Sequence, residues 1–392
     1  MSKNNLIVFI LTIGVFSILN TEMGVIGILP IVASTYNIEI SVAGLLVSLF
    51  ALAVAVSGPI LPLLLSKYNR KTIMMISLAT FFICNVISAF AGSFWLVLVA
   101  RVVPAFLHPV YVSLSFAIAS SSVAKQDAPK AVAKVMVGVS AGMVLGVPVM
   151  SYIANLFSLE IAMLAFALVN LVALMLTIIY VPSMPVKEKM SYGSQLSILK
   201  DINLWWALIA VILLNGANFG VYSYLADYLE RVSLLSAEFV SITLLIFGLA
   251  NILGNIIAGR LLSKKPLAFV GIYPFLLIVI FLMMLFFGDM SFIIMGIVLI
   301  WGIFVGCAAN INQYWITRVA FQVPDFANAL FLVATNVGTC IAAFVCGIFI
   351  DELGINNVVL GGIVFTILSV GFFIIGIKNA QKENVLKENL AK

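Results

Sequence analysis

Residues 48–67 read SLFALAVAVSGPILPLLLSK, and residues 245–264 read LIFGLANILGNIIAGRLLSK. Each is an apolar run about 20 residues long, the length that carries an α-helix across the hydrocarbon of a bilayer. Laid over each other, the two agree at Phe50/Phe247, Leu52/Leu249 and Ala53/Ala250. They agree again where Leu64, Leu65, Ser66 and Lys67 meet Leu261, Leu262, Ser263 and Lys264. One membrane-length motif therefore stands twice in the chain, ending both times on a basic residue.

Outward from this pair, polar punctuation divides the chain into apolar segments at 6–34, 40–65, 72–91, 94–120, 131–155 and 159–181, then at 204–229, 237–262, 267–287, 291–316, 326–350 and 355–377. The narrowest separations are Gly92-Ser93 and Gly288-Asp289-Met290. The two halves of the motif each lie in the second segment of a set of six. Composition demands a membrane: of 392 residues, 64% are hydrophobic and 9% charged, with a mean hydropathy of +1.24, whereas a soluble domain carries about 25% charged residues. Without water to bond the backbone, only helices or closed barrels can span, and the long unbroken runs lack the alternation of a barrel strand. The expected fold is an all-α membrane protein of twelve transmembrane helices in two pseudo-symmetric halves. The halves cover 1–181 and 204–378, with a linker at 182–203 and a tail at 379–392. The first run is too long for the core of a cleaved signal peptide, so it is expected to stay as the first span.

Charge sets the orientation. Counted on alternate sides from a cytoplasmic N-terminus, all 20 Lys and Arg fall inside except Arg231, outside, and Arg101, within a span. That asymmetry follows the positive-inside rule. It predicts a bacterial inner-membrane protein with both termini and the linker in the cytoplasm. The basic balance is thus a topology signal and not a nucleic-acid footprint. Cys84, Cys307, Cys340 and Cys346 lie in apolar runs without metal-ligand or CxxC spacing and read as packing residues. No GxxxxGK[ST] loop is present, which excludes a nucleotide-driven pump in this chain alone.

Ionisable groups inside a bilayer are costly and therefore functional candidates. Glu22 sits deep in the first segment. Desolvation disfavours the charged form of a carboxyl, so such a group can load and unload a proton; the alternative is an acid tied to a neighbouring helix. Arg101 and His108 lie two helical turns apart on the fourth segment, with Ser115 continuing the stripe. Arg101 needs a carboxylate, a carbonyl or a watery cavity, and it reads equally as an inter-helix clamp. His108 is the only histidine and is flanked by Pro104 and Pro109. Asp227, near the end of the seventh segment, completes the proton-coupling candidates, its alternative being an interfacial acid. Amide and tyrosine stripes mark candidate cavity walls: Asn215, Asn218 and Tyr222; Asn251 with Asn255; Asn310, Gln313 and Tyr314; and Asn336. Inter-helix hydrogen bonding is their alternative role. Gly138, Gly142 and Gly146 form a ridge at spacing four that allows close helix packing, ended by Pro148.

Three of these features resemble the major facilitator superfamily, and within it the twelve-helix drug/proton antiporters of the bacterial arabinose-efflux-permease and purine-efflux type. Thr21-Glu22 followed by Gly27, Leu29 and Pro30 is similar to that group's T-E-x-x-x-x-G-x-L-P signature. The ridge through Pro148 is similar to its G-x-x-x-G-x-x-x-G-x-P motif, although the glycine usual after that proline is missing. Arg101 matches the family's membrane arginine, but Pro104-Ala105 stand where Gln-Gly follows. The loop 62–71 keeps the basic pair Arg70 and Lys71 of the family's gating loop, with Ser66 in place of its acid and Asn69 in place of its glycine. The resemblance implies a proton-coupled exporter working by alternating access, as a monomer, with a small-molecule substrate and the proton as coupling ion. No other cofactor, no nucleic acid and no catalytic or metal site is implied. An uptake symporter of the same fold is the alternative; a membrane sensor or scaffold is a remote one, as no extramembrane head is visible.

Overall fold

The computed structural model describes residues 3–124, 128–185, 195–322 and 324–390. Lys125, Lys187, Lys189 and Lys392, which count in the charge asymmetry, lie outside the described residues. Among those described the chain is helical, with no strand. Twelve helices are long and apolar enough to cross a membrane. In chain order the spans are Asn4–Tyr36, Ile40–Pro62, Arg70–Ala89, Phe94–Ser121, Ala131–Leu156, Leu159–Tyr180, Ile202–Tyr222, Ala237–Lys264, Pro266–Phe287, Ser291–Val319, Phe326–Leu353 and Ile355–Asn379, referred to as spans 1 to 12.

Polar residues between the apolar runs start several of these helices by supplying acceptors to unpaired N–H groups. Asn69 accepts from Lys71 N before span 3, Ser158 from Ile161 N before span 6 and Asp201 from Asn203 N before span 7. An even number of crossings returns both chain ends to one side, called here the terminal face; the other side is the distal face.

Three elements depart from the expected pattern. Span 7 ends at Tyr222 rather than 229, and a separate distal helix, Leu225–Arg231, follows. Span 1 is interrupted: helix Lys3–Gly24 passes through a 3-10 turn, Val25–Ile28, into Leu29–Tyr36. Span 4 is broken between Phe94–Ala105 and His108–Ser121, where Pro109 and Pro104 withhold backbone donors. The final helix runs on as Val358–Leu390, through most of the expected tail.

The buried apolar core falls into two clusters. One holds the second half of the molecule together with the distal part of the first, from Val25 through Leu46 to Phe166. The other belongs to the first half alone and lies toward the terminal face, with Ile7, Leu11, Phe81, Tyr111 and Val135. The halves thus share a core only on the distal side. There span 11 packs on Ile40–Ala43, and helix Leu225–Arg231 packs on Val25–Ile28 and Leu29–Tyr36. Spans 5 and 8 cross between the halves, and Ser241 Oγ donates to Ser151 Oγ at 3.4 Å. Among the described residues, the buried core that joins the two halves thus lies toward the distal face.

Candidate functional site

The break in span 1 builds the first part of the site. A helix end leaves its last carbonyls without intrahelical donors, and the dipole makes that end partly negative. Arg101 reaches this end from span 4. Its Nη1 donates to Thr21 O at 3.0 Å, its Nη2 to Glu22 O at 2.7 Å and its Nε to Leu46 O of span 2 at 3.0 Å. All three bonds go to main chain. The guanidinium lies 4.8 Å over the Phe50 ring, a favourable cation–π distance.

Glu22 keeps its carboxylate for His108. His108 Nε2 and Glu22 Oε2 are 3.1 Å apart, an ion-pair contact without the alignment of a hydrogen bond, since neither atom has a hydrogen-bond partner. Phe50 closes the pocket with its ring 6.1 Å from the imidazole, edge on. Behind this group, Thr21 Oγ1 accepts from Asn170 Nδ2 of span 6 at 2.9 Å and from Asn85 Nδ2 of span 3 at 3.5 Å. Glu22, Arg101 and His108 are therefore brought together, tied by amides to two further spans. Asp227 is apart, on the distal helix, paired with Arg231 Nε at 2.8 Å.

The second part is a cavity between the halves. Met23 of span 1 and Met143 and Val144 of span 5 face Asn218, Phe219 and Tyr222 of span 7, with Phe247, Gly248 and Asn251 of span 8 and Val305 of span 10. Tyr222 and Phe247 stack at 4.7 Å with planes 14° apart. Trp301 stands edge-on to both, at 6.3 and 5.2 Å, and its Nε1 donates to Asn218 Oδ1 at 3.1 Å. Asn218 Nδ2 donates to Leu214 O. Because indole only donates and a carbonyl only accepts, these two bonds fix which end of the amide points where. No lining residue carries a charge.

The remaining candidates divide. Asn251 lines the cavity and accepts from Asn255, whose Oδ1 accepts from Asn310 at 2.6 Å; Gln313 donates to Asn328 at 3.4 Å. These amides lead from the cavity toward the terminal face. Asn215 is turned to span 11 instead, donating to Thr335 O and Thr339 Oγ1. Asn336 bonds back to Leu332 O on its own helix, and Tyr314 is half-buried against the core.

Gly138, Gly142 and Gly146 pack on Thr12, Leu19 and Asn20 of span 1, within the first half. The crossing between halves uses the opposite face of the same helix. Pro148 lacks an N–H, so the Val144 carbonyl has no helical donor, and Gly248 of span 8 sits there, an added Cβ being 3.0 Å from Val144 O. Arg70 and Lys71 stay on the first half: Arg70 N donates to Met184 O and Lys71 Nζ to Ile178 O. Asn69, in the position of the expected glycine, accepts from Lys71 N and Met184 N and so ties the loop to the end of span 6. Phe50, Met23, Met143, Trp301, Asn85 and Asn170 were not singled out as site residues in the sequence. Only the two amides, polar in otherwise apolar spans, gave a signal.

The fold and the central cavity define a membrane transporter. The chain belongs to the major facilitator superfamily, whose family model matches residues 11–343. It is 30% identical over 365 residues to the uncharacterized MFS-type transporter YtbD of Bacillus subtilis (strain 168), covering 90% of this chain and 91% of that one. A probable sugar efflux transporter of Helicobacter pylori (strain G27) is 25% identical over 354 residues, with 90% of each chain covered. Among solved structures, a bacterial homologue of the human lysosomal transporter Spinster, inward-facing and unoccupied, superposes with a TM-score of 0.76 at 15% identity, covering 97% of this chain and 98% of that one. The protein is a multipass membrane transporter and not an enzyme.

Proposed function

We propose that this transporter exports a small uncharged organic solute in exchange for protons, by alternating access. The observation that carries the reading is the separation of chemistries between the halves. Behind the first-half wall, next in sequence to the lining residue Met23, lies a buried carboxyl–imidazole pair, Glu22 and His108; the second-half wall is an aromatic and amide surface without charge, formed by Tyr222, Phe247, Asn218 and Asn251. Uncharged ring faces and amides suit a solute that stacks and hydrogen-bonds, such as a sugar, a nucleoside or a neutral drug. The relative described as a sugar efflux transporter supports both the solute class and the direction.

A charged carboxylate is costly to occlude unless paired. His108 supplies the pair when Glu22 is ionised, and a proton on Glu22 replaces it. Protonation can then change which states of the cycle are allowed, which is what coupling requires. With the terminal face cytoplasmic, as the basic residues favour, a core joining the halves on the distal side fits an inward-facing state. The protein acts as a monomer with the proton as its coupling ion and no other cofactor.

The test is transport into proteoliposomes under an imposed pH gradient, with a panel of sugars, nucleosides and neutral drugs. Glu22→Gln is expected to lose gradient-driven transport while solute exchange at equal pH persists. Gradient-driven transport at the wild-type rate in that variant would show that the proton travels elsewhere.

A further inference from the structure

Helix Leu225–Arg231 is buried along most of its length although it lies beyond the end of span 7. It docks on the 3-10 turn Val25–Ile28 and on Leu29–Tyr36, both in the opposite half. Tyr224, just ahead of it, puts its hydroxyl on Ala343 O at 2.9 Å. The same hydroxyl fills the space over Gly44, where an added Cβ would fall on it, and lies 2.8 Å from a Cβ built at Gly347. Gly44 is in span 2 and Gly347 in span 11, so this one side chain plugs the seam between the halves.

Asp227, in the middle of this docked helix, is fully buried. Neither carboxyl oxygen has a hydrogen-bond partner. The ion-pair partner Arg231 is itself 57% exposed and so is screened by water. We propose that helix Leu225–Arg231 is the distal gate of the transport path and that protonation of Asp227 favours its closed state. This rests on the alternating-access reading above.

The direction follows from what surrounds the carboxyl. Burial pushes Asp227 up to about 6 from an ordinary 3.8; the Arg231 charge opposes this and Glu230 adds to it. The turns Val25–Ile28 and Ile355–Asn357 that pack on the helix carry no titratable residue. Leu29–Tyr36 offers only Tyr36, whose hydroxyl donates to Ala91 O. Span 8 brings Glu238, exposed in its first turn, with Arg260 and Lys264 at its far end. Span 7 brings only Tyr222. Opening the seam admits water and returns the carboxyl toward its ordinary value. The closed gate therefore binds the proton more tightly, and whatever binds one state more tightly shifts the balance toward it. The closed state is favoured at acid pH and loses that advantage as pH rises through about 6. Two pKa units between the states amount to about a hundredfold change in the closed-to-open ratio over the whole titration, of which about tenfold falls between pH 5 and pH 8.

Distances between nitroxide labels test this without a known substrate. One pair, Thr35→Cys with Asn356→Cys, spans the distal face; a second, Lys67→Cys with Lys264→Cys, spans the terminal face. Both are placed in full-length protein whose native cysteines are replaced by alanine. From pH 5 to pH 8 the distal distance should lengthen and the terminal one shorten. Asp227→Asn, neutral at every pH, should hold the distal pair short throughout, whereas Asp227→Glu should restore a pH response. An unchanged pH response in Asp227→Asn, or none in the parent, overturns the inference. If neither pair moves even with a transported solute from the panel, alternating access itself fails.

Discussion

Arg101 Nη2 lies 2.7 Å from the main-chain oxygen of Glu22 and not from its carboxylate. The arginine thus holds the backbone of the broken first span and leaves the acid free for His108. Lysine has one compact ammonium and cannot reproduce a planar fork serving three carbonyls on two spans. Arg101→Lys should therefore lower stability by at least about 2 kcal/mol, the scale of lost charge-assisted bonds, and reduce transport to below about a tenth. Thermal unfolding in detergent and proteoliposome uptake read the two effects. A lysine variant with wild-type melting would mean that the clamp is dispensable.

His108 is expected to matter through its proton. In His108→Gln the size and polarity are kept and titration is removed. Gradient-driven transport should fall at least about tenfold, and its dependence on pH should flatten, because glutamine has no proton to exchange. A variant whose pH profile overlays the wild type would make His108 a spectator.

The stacked pair Tyr222 and Phe247 predicts a change in affinity without a change in coupling. Phe247→Leu removes one ring of the stack, and aromatic pairs are worth about 0.5–1.5 kcal/mol beyond burial. The half-saturation concentration for a transported solute should rise about tenfold at most, while the pH dependence stays in place. Loss of pH dependence in this variant would contradict the division between the two walls.

Glycine substitutions separate packing from mere helix propensity. A Cβ at Gly142 would lie 2.6 Å from Leu19 Cβ and 3.0 Å from Asn20 N, whereas one at Gly58 meets only Pro109 Cβ at 3.9 Å. Gly142→Ala should cost about 1–3 kcal/mol through overpacking. Gly58→Ala should be neutral or stabilise by about 0.5–1 kcal/mol through backbone entropy. Equal melting shifts for the two would refute the close approach of spans 1 and 5.

The twelve spans were legible because apolar length and the side preference of Lys and Arg report on the bilayer directly, whatever the helices pack against. Glu22 was legible for the same reason, as the one carboxyl within the apolar run 6–34. The clamp made by Arg101 was not. Its partners are backbone carbonyls, which become available only where span 1 turns from α to 3-10 helix; Pro30 withholds the donor for Ile26 O and so marks a break, but nothing in the sequence says which side chain takes the freed carbonyls. Span 7 was read too long because no glycine, proline or basic residue interrupts residues 223–229; the break after Tyr222 goes with tertiary packing of Tyr224 and Tyr228, whose hydroxyls bond Ala343 O and Met284 O. Asn215 shares a helix face with Asn218 by spacing, yet it is taken up by span 11.

The internal repeat has one further consequence. The offset that pairs Phe50 with Phe247 also pairs Thr21 with Asn218 and Glu22 with Phe219. Where the first half holds an acid, its twin holds a benzyl ring that faces the cavity. Under the exchange proposed above, the duplicated scaffolds take separate trades: one copy handles the energy source and the other the cargo. A change of cargo can then be made by rewriting spans 7, 8 and 10 alone, so grafting those cavity residues from a relative of different appetite onto this chain would retarget it with the engine left running.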